Sequence, residues 1–459
     1  MTMIARLRRD FLQIVRPASG EVGVLARGAG IAFLVQVSGA GLAYLLQLLF
    51  ARWMGARDFG EYTFTIGWSM IAAVLAGLGL ATAVLRFVPA YESHGDRERL
   101  LGLLRMSMLA TGLVSVGLAA LGSALLIYLH ARDVSSGWNV LLGLWLVPLI
   151  SILTLQQEAA RAFRRIGLAY APALVLRPLL AVLGAGLLIG LGMTLHSIGA
   201  LAVTMAATLL AVVVQAVLFW QQLEPQLRNA KPKYEMRRWL RTALPLLLVS
   251  SFVVILLQTD VVMVGAIEGP RAAGLYGAAA KTASLVGLVL IAVSAIGAPI
   301  FSALFAQRRH EDLQRLVSAL AHWVFWPSLA ISLFLALFAK PVLGLFGAEF
   351  TAASTVLTIL LVGQVINAGA GAVGWLMLVT GHQDQAAWAY GWVAALHVVL
   401  LAVLTPLLGT NGAAIATTTS YLLWNVWLYS LVVRLLDLHP SILHGFGRGR
   451  SRPATLPDG

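Results

Sequence analysis

An all-α fold set in a membrane follows from three observations on this chain of 459 residues. Charged residues make up 11% and hydrophobic ones 59%, whereas a soluble domain carries about 25% charged residues. The apolar runs are long: 31–50, 201–223 and 243–257 hold no acid or base at all. They are also continuous rather than alternating. Only helices and closed barrels satisfy every backbone polar group in lipid, and the continuous pattern selects helices. A bilayer core of about 30 Å takes roughly 20 such residues.

Taken in order, the chain opens with an arm over 1–26. "MTMIARLRRDFLQIVRP" carries Arg6, Arg8 and Arg9 and has no apolar stretch of signal-peptide length before Pro17. It predicts an uncleaved cytoplasmic arm lying on the membrane. Twelve spans are expected, at about 27–51, 62–88, 103–129, 138–157, 168–191, 197–221, 243–267, 273–305, 314–338, 352–378, 385–408 and 411–433. The first six fall in a unit over 27–222 and the last six in a unit over 243–434. Between them lies a cytoplasmic linker, 223–242, which holds the longest polar segment of the chain, "LEPQLRNAKPKYEMRRWLR". The tail, 435–459, is rich in Pro, Gly and Arg and is expected to be disordered.

The basic residues test this layout. Of 32 Lys and Arg, 24 fall on the side of the termini and linker, 5 on the other side, and three within spans: Arg86, Arg177 and Lys281. That asymmetry places both termini in the cytoplasm. The net charge of +13 is explained by basic loops facing an anionic leaflet, without nucleic acid. The chain has no cysteine, which excludes disulfides and thiolate metal sites. Its nine histidines show no metal-ligand spacing. "GAGAVG" (369–374) matches a dinucleotide-binding fingerprint but sits inside an apolar run instead of after a strand; close helix packing or bending explains its glycines. No nucleophile elbow or phosphate-binding loop is present, so neither enzyme chemistry nor a cofactor or metal is expected.

Two echoes divide the chain. "GARDFGEY" (55–62) and "GPRAAGLY" (269–276) both read G-x-R-x-x-G-x-Y and start 214 residues apart. "IGALA" (198–202) and "NGAAIA" (411–416) align Gly199 with Gly412, 213 residues apart. Each echo occupies the same place in its half, so the sequence predicts a duplicated six-helix unit. Six is even, so the copies share one orientation and are related by an axis along the membrane normal.

"MGARDFGEYTFTIG" followed by "GLGLATAVLRFVPAY", with "LGLFGAEFTAASTVLTIL", "LVTGHQDQAAWAY" and "TNGAAIATTTSYLLW" in the later half, resembles a bacterial polysaccharide or O-antigen flippase, in the polysaccharide transporter branch of the multidrug/oligosaccharidyl-lipid/polysaccharide exporter superfamily. The resemblance covers roughly residues 25–435. It implies a MATE-like, V-shaped pair of six-helix lobes in the bacterial inner membrane. It also implies translocation of an undecaprenyl-pyrophosphate oligosaccharide by alternating access, beside a polysaccharide polymerase or synthase. Other branches export drugs against cations or flip the peptidoglycan precursor; the latter usually carry further helices after the twelfth. A non-transporting scaffold of a glycan synthase complex is the alternative of a different class.

Charge within a membrane is costly and marks cavities or partners. Arg177, Lys281 and Arg86 are therefore candidate ligands for an anionic substrate, with Asp260 and Gln258 beside them. Each has a second reading. Arg86 can snorkel to headgroups. Arg177, which precedes Pro178, can satisfy carbonyls that the proline frees. Lys281 and Asp260 can form a structural ion pair; the resemblance implies an acid near the latter position. Arg57 and Arg271 are expected to bind headgroups or cap helices. Gln36, Gln47, Gln215, Gln364 and Asn367 suit helix-to-helix hydrogen bonds. Trp53, Trp138, Trp220 and Trp239 suit interfacial anchoring, and Trp375 and Trp392 suit a lumen or core packing. The charge asymmetry is checked by reporter fusions: those after Arg241 and Arg448 should report cytoplasm, and one near Arg132 the outside.

Overall fold

A computed structural model describes residues 21–129, 137–307, 309–440 and 442. Residues 1–20 of the arm expected over 1–26, and residues 441 and 443–459 of the tail, lie outside the described residues, while 21–26 belong to the first helix. The first half runs through α1 (Glu21–Ala76), α2 (Leu80–Ser93), α3 (Arg97–Leu129), α4 (Trp138–Ala162) and α5 (Ile166–Ala171), then a π-turn (Pro172–Leu176), α6 (Arg177–Gly190) and α7 (Ser197–Gln222). A short α8 (Pro225–Arg228) lies in the linker. The second half runs through α9 (Met236–Glu268), α10 (Pro270–Ser284), α11 (Gly287–Ala306), α12 (His310–Leu337) and α13 (Ala339–Gly344), then a 3-10 turn (Ala348–Ala353), α14 (Ser354–Ala370), α15 (Val373–Val379) and α16 (Gln383–Leu436).

Among the described residues nine helices are long and apolar enough to cross a membrane, ten if α1 and α2, bent by 47° across Gly77–Gly79, count as one span. The expected twelve differs at two places. Gly55 in α1 (φ 78, ψ 173) and Gly409 in α16 (φ 61, ψ -144) carry non-helical backbone inside what is otherwise one continuous helix. A count of twelve requires each side of those glycines to be a separate span. The outer surfaces suit lipid: Leu113, Leu121, Leu187 and Leu407 are all more than half exposed. Inside, alanine and leucine together make up most of the buried hydrophobic residues, and the alanines allow the close helix approach on which association in lipid rests.

The duplicated connector has a duplicated conformation. Gly269 (φ 88, ψ 175) repeats the geometry of Gly55, in a region of backbone space that glycine adopts without strain. The second glycine of each motif makes a reciprocal contact. A Cβ on Gly60 would lie 1.7 Å from the Pro270 carbonyl oxygen, and one on Gly274 would lie 2.0 Å from that of Ala56. Position six of each copy thus rests on position two of the other. The motif tyrosines repeat as well. The Tyr62 hydroxyl bonds that of Thr204 at 3.3 Å, and Tyr276 bonds Thr417 at 3.0 Å. These threonines stand 213 residues apart, the offset of the second echo.

The cores show how the halves meet. One buried cluster runs through both halves near the connectors, including Phe50, Phe59, Tyr62, Val264, Tyr276, Phe346, Phe350 and Ala413. Toward the opposite end the core divides. One cluster belongs to the first half and the start of α9 (Leu80, Leu101, Leu155, Trp239), and another to the second half (Phe301, Leu316, Met377, Leu428). The halves share one core at the connector end; at the other the cores divide, with the start of α9 packed on the first half, where a Cβ on Gly79 would lie 2.1 Å from the Ala243 carbonyl oxygen.

Two expectations need correction. Trp239 is fully buried and donates from Nε1 to the Tyr91 hydroxyl at 3.0 Å, because the linker folds back onto the first half. There Arg99 bonds both Asp96, at 2.8 Å, and Glu235, at 2.7 Å. The described start of the tail is anchored: His439 N–H donates to Gln314 Oε1 at 2.8 Å and its carbonyl accepts from Gln314 Nε2 at 3.0 Å. Trp375 and Trp392 are 44% and 61% exposed, so neither packs in a core. Glycines in "GAGAVG" do bend the chain: α14 stops at Ala370, and Gly371 (φ 74) precedes α15.

The reciprocal contact is open to test. Gly60→Ala or Gly274→Ala forces helix separation and should cost about 1–3 kcal/mol, read as a lower melting temperature in detergent. Gly112→Ala, whose Cβ would meet nothing within 4 Å, should leave it unchanged.

Candidate functional site

Three of the candidate side chains, Arg177, Lys281 and Gln258, line one cavity between the two halves. A cavity of about 300 Å³ is walled by α1, α4, α6 and α7 of the first half and by α9, α10 and the residues following α10 in the second. Its lining includes two charged residues, Arg177 and Lys281, one from each half, and no carboxylate among the described residues. Tyr44, Gln47, Tyr62, Thr63, Thr204, Thr208, Gln258 and Ser284 supply its polar remainder.

Local backbone explains the position of Arg177. Pro172 and Pro178 bracket the π-turn, and the Arg177 N–H reaches the carbonyl of Pro172, five residues back. Pro178 has no N–H to continue the regular ladder, and π-turns of this kind recur at functional sites. Gly39 of α1 fits against this turn, since a Cβ there would lie 2.6 Å from Leu174 Cβ. The turn therefore delivers Arg177 to the cavity wall beside Tyr62, with which it interacts electrostatically. Lys281 lies twelve residues beyond Gly269, about 18 Å along α10.

Among the described residues neither cation has a hydrogen bond or an ion pair. No carbonyl freed by Pro178 is bonded by the Arg177 guanidinium. Asp260 and Lys281 do not come within ion-pair distance, although Asp260 acts on Lys281 electrostatically at longer range. Asp260 is buried off the cavity. It accepts from its neighbour's N–H, Val261, at 2.8 Å and from the Tyr276 hydroxyl at 3.0 Å, and Tyr276 in turn meets Thr417. Its hydrogen bonds are local and neutral, which corrects the reading of Asp260 and Lys281 as a direct structural pair. A cation held in low dielectric without a partner is costly. Here two of them, Arg177 and Lys281, face one cavity.

The amides divide between roles. Gln258 lines the cavity and donates from Nε2 to Met70 Sδ at 3.2 Å. Gln47 also lines it, and its Oε1 is buried without a partner. Asn367 does bridge helices, accepting from Asn425 Nδ2 at 3.0 Å. Tyr44 joins the halves over the cavity through Thr282 at 3.2 Å.

With this geometry in view, the comparisons with known proteins are direct. A family model described as polysaccharide biosynthesis protein matches residues 25–305, more than half of the chain. The chain belongs to that family. A second model, MatE, matches residues 245–403. No curated protein matches. Among solved structures, an inward-facing multidrug resistance MATE family transporter of the MOP superfamily has a TM-score of 0.69 at 16% identity, over 88% of this chain and 99% of that one. A MOP superfamily transporter from Pyrococcus furiosus, described by the reverse polarity of its binding pocket, has 0.65 at 16% identity, over 93% and 98%. An outward-facing MATE family transporter has 0.62 at 15% identity, over 93% and 98%. These likenesses give the fold; together with the family they make the chain a membrane transporter of the MOP superfamily.

Of the five candidate residues, the structure thus brings three to one cavity: Arg177, Lys281 and Gln258. Asp260 stands behind it, and Arg86 is exposed on α2, beyond the bend, and is not part of the lining. Arg57 and Arg271 are ion-paired, the former with Glu61 at 3.8 Å and the latter with Glu349 at 3.4 Å. Sequence reasoning missed Tyr44 and Glu349. Both act across the two halves, and no local pattern marks them.

The Asp260 environment leads to a specific expectation. Tyr276→Phe leaves a buried carboxylate without its hydroxyl donor and should cost about 1–3 kcal/mol in detergent melts. Lys281→Gln, which breaks no bond, should melt with the parent. A large loss in Lys281→Gln that Asp260→Asn repairs would reinstate the ion pair.

Proposed function

We propose that the protein translocates a lipid-linked anionic glycan, such as an undecaprenyl-pyrophosphate oligosaccharide or polysaccharide repeat unit, across the bacterial inner membrane by alternating access. One observation carries the reading: two unpaired cations, Arg177 and Lys281, face one cavity from opposite halves with no carboxylate in its lining. A diphosphate can accept forked hydrogen bonds from the guanidinium and point-charge attraction from the ammonium. The hydroxyls and amides around them suit sugar hydroxyls, and the lipid tail can stay in the bilayer while the head passes between the halves.

A cation-coupled drug exporter of the same fold is the rival. Such a substrate needs negative charge, and this lining supplies none. The Pyrococcus furiosus transporter, where a reversed pocket polarity is taken to suggest a different function, supports reading pocket sign as a guide to cargo within one fold. An inside-negative potential favours outward movement of an anion by about 2.3 kcal/mol per charge per 100 mV, so a diphosphate is carried in the direction that glycan export requires.

Arg177→Ala should abolish glycan export in a complementation assay while the protein reaches the membrane at near-normal amounts. Lipid-linked units should then accumulate on the cytoplasmic leaflet. Arg177→Lys should retain partial export, since charge survives but the forked geometry does not. Full export by a well-expressed Arg177→Ala protein would remove the residue and the anion reading together.

A further inference from the structure

We propose that the connector end is a gate and that Glu349 is its latch: the carboxylate that ties Ala56 of one half to Arg271 of the other must let go before the cavity opens on that side. The proposal rests on the alternating-access reading above.

Glu349 lies in the 3-10 turn of the second half. Its Oε1 accepts from the Ala56 N–H of the first half at 2.7 Å, and its Oε2 lies 3.4 Å from Arg271. Ala56 begins the helix that restarts after the break at Gly55, so its N–H is one of the free donors at a helix N-terminus. A carboxylate there gains from both the donor and the helix dipole. Gly55 makes room for it: a Cβ at that residue would stand 3.2 Å from the same oxygen. Beside the carboxylate, Phe59 and Phe350 meet edge to face, 5.9 Å apart, across the same boundary.

The two bonds are unequal. The Arg271 side chain is 70% exposed, and such surface pairs contribute little. The short bond to the helix N-terminus is charge-assisted and holds more. Arg57, the first half's counterpart of Arg271, pairs within its own half, with Glu61. The latch is therefore one-sided. Beneath it the halves touch through the glycine backbones of the reciprocal contact, one shared apolar core and the neutral Tyr44–Thr282 hydrogen bond. None of these contacts is an ion pair, so they can part without leaving a buried charge behind. The separate cores at the far end and the higher likeness to the inward-facing relative fit a gate that is shut at the connectors.

The chain has no cysteine, so spin labels can be placed without background at Arg52→Cys and Glu268→Cys, exposed positions flanking the two connectors. The full chain is reconstituted in lipid nanodiscs and the label-to-label distance distribution is recorded without substrate. The parent should show one short population. Glu349→Gln should raise the ratio of long to short distances about tenfold, the factor expected for loss of one charge-assisted bond. Arg271→Gln should raise it less. Both variants should melt as cooperatively as the parent. Unchanged distances in Glu349→Gln and Glu349→Ala would overturn the latch. So would widening that comes only with loss of cooperative melting in both, since the contact would then support folding instead of gating. Unchanged distances with export still dependent on Arg177 would remove the latch and leave the transport reading. Widened distances with export independent of Arg177 would do the reverse.

Discussion

The approach of two bare backbones, Gly60 against Pro270 and Gly274 against Ala56, is the constraint on which the rest depends. Any side chain at either glycine would hold the halves apart. With none, the connectors interlock. Tyr62 and Tyr276 turn inward to their threonines, Glu349 reaches the neighbouring half, and the cavity forms one to three helical turns below. In a bilayer, where apolar helices gain little from touching each other rather than lipid, such close packing is what fixes the arrangement.

On this symmetrical frame the charges are unsymmetrical. The second half carries Asp260 and Lys281 where an offset of 214 places Leu46 and Gly67 in the first. Asp260 is satisfied by Tyr276 and its own backbone, so it costs little and is hidden. Lys281 and Arg177 have no side-chain partner among the described residues, and under the proposed function an anionic substrate would supply one. Burial alone therefore does not separate structural charge from functional charge. The inventory of hydrogen-bond partners does.

Much of the fold was legible in the sequence, because span length follows from bilayer thickness and the connector echo marks a repeated conformation at Gly55 and Gly269. The breaks at Gly55 and Gly409 fall where the sequence divides 27–51 from 62–88 and 385–408 from 411–433; what it did not show is that the helix resumes directly across each glycine. The pairing of Asp260 with Lys281 failed for a different reason. Adjacent helices place two residues at similar depth, but rotation about the helix axis decides which way each points, and Asp260 points to Tyr276. Trp239 misled because proximity to a span end does not say whether the linker folds back over it. For Arg177 the flanking Pro172 and Pro178 were visible, and they proved to shape the π-turn that presents it.

The reciprocal connector contact has a geometric consequence. Each half supplies both surfaces, the bare position and the carbonyl it rests upon, so two identical chains could make the same contact about a two-fold axis. A single half with this motif is self-complementary, and in this chain the two halves are joined in one polypeptide. Once joined, a residue can change in one copy alone. That is the freedom an asymmetric pair of charges around a symmetric axis requires, and a homodimer of one gene product does not possess it.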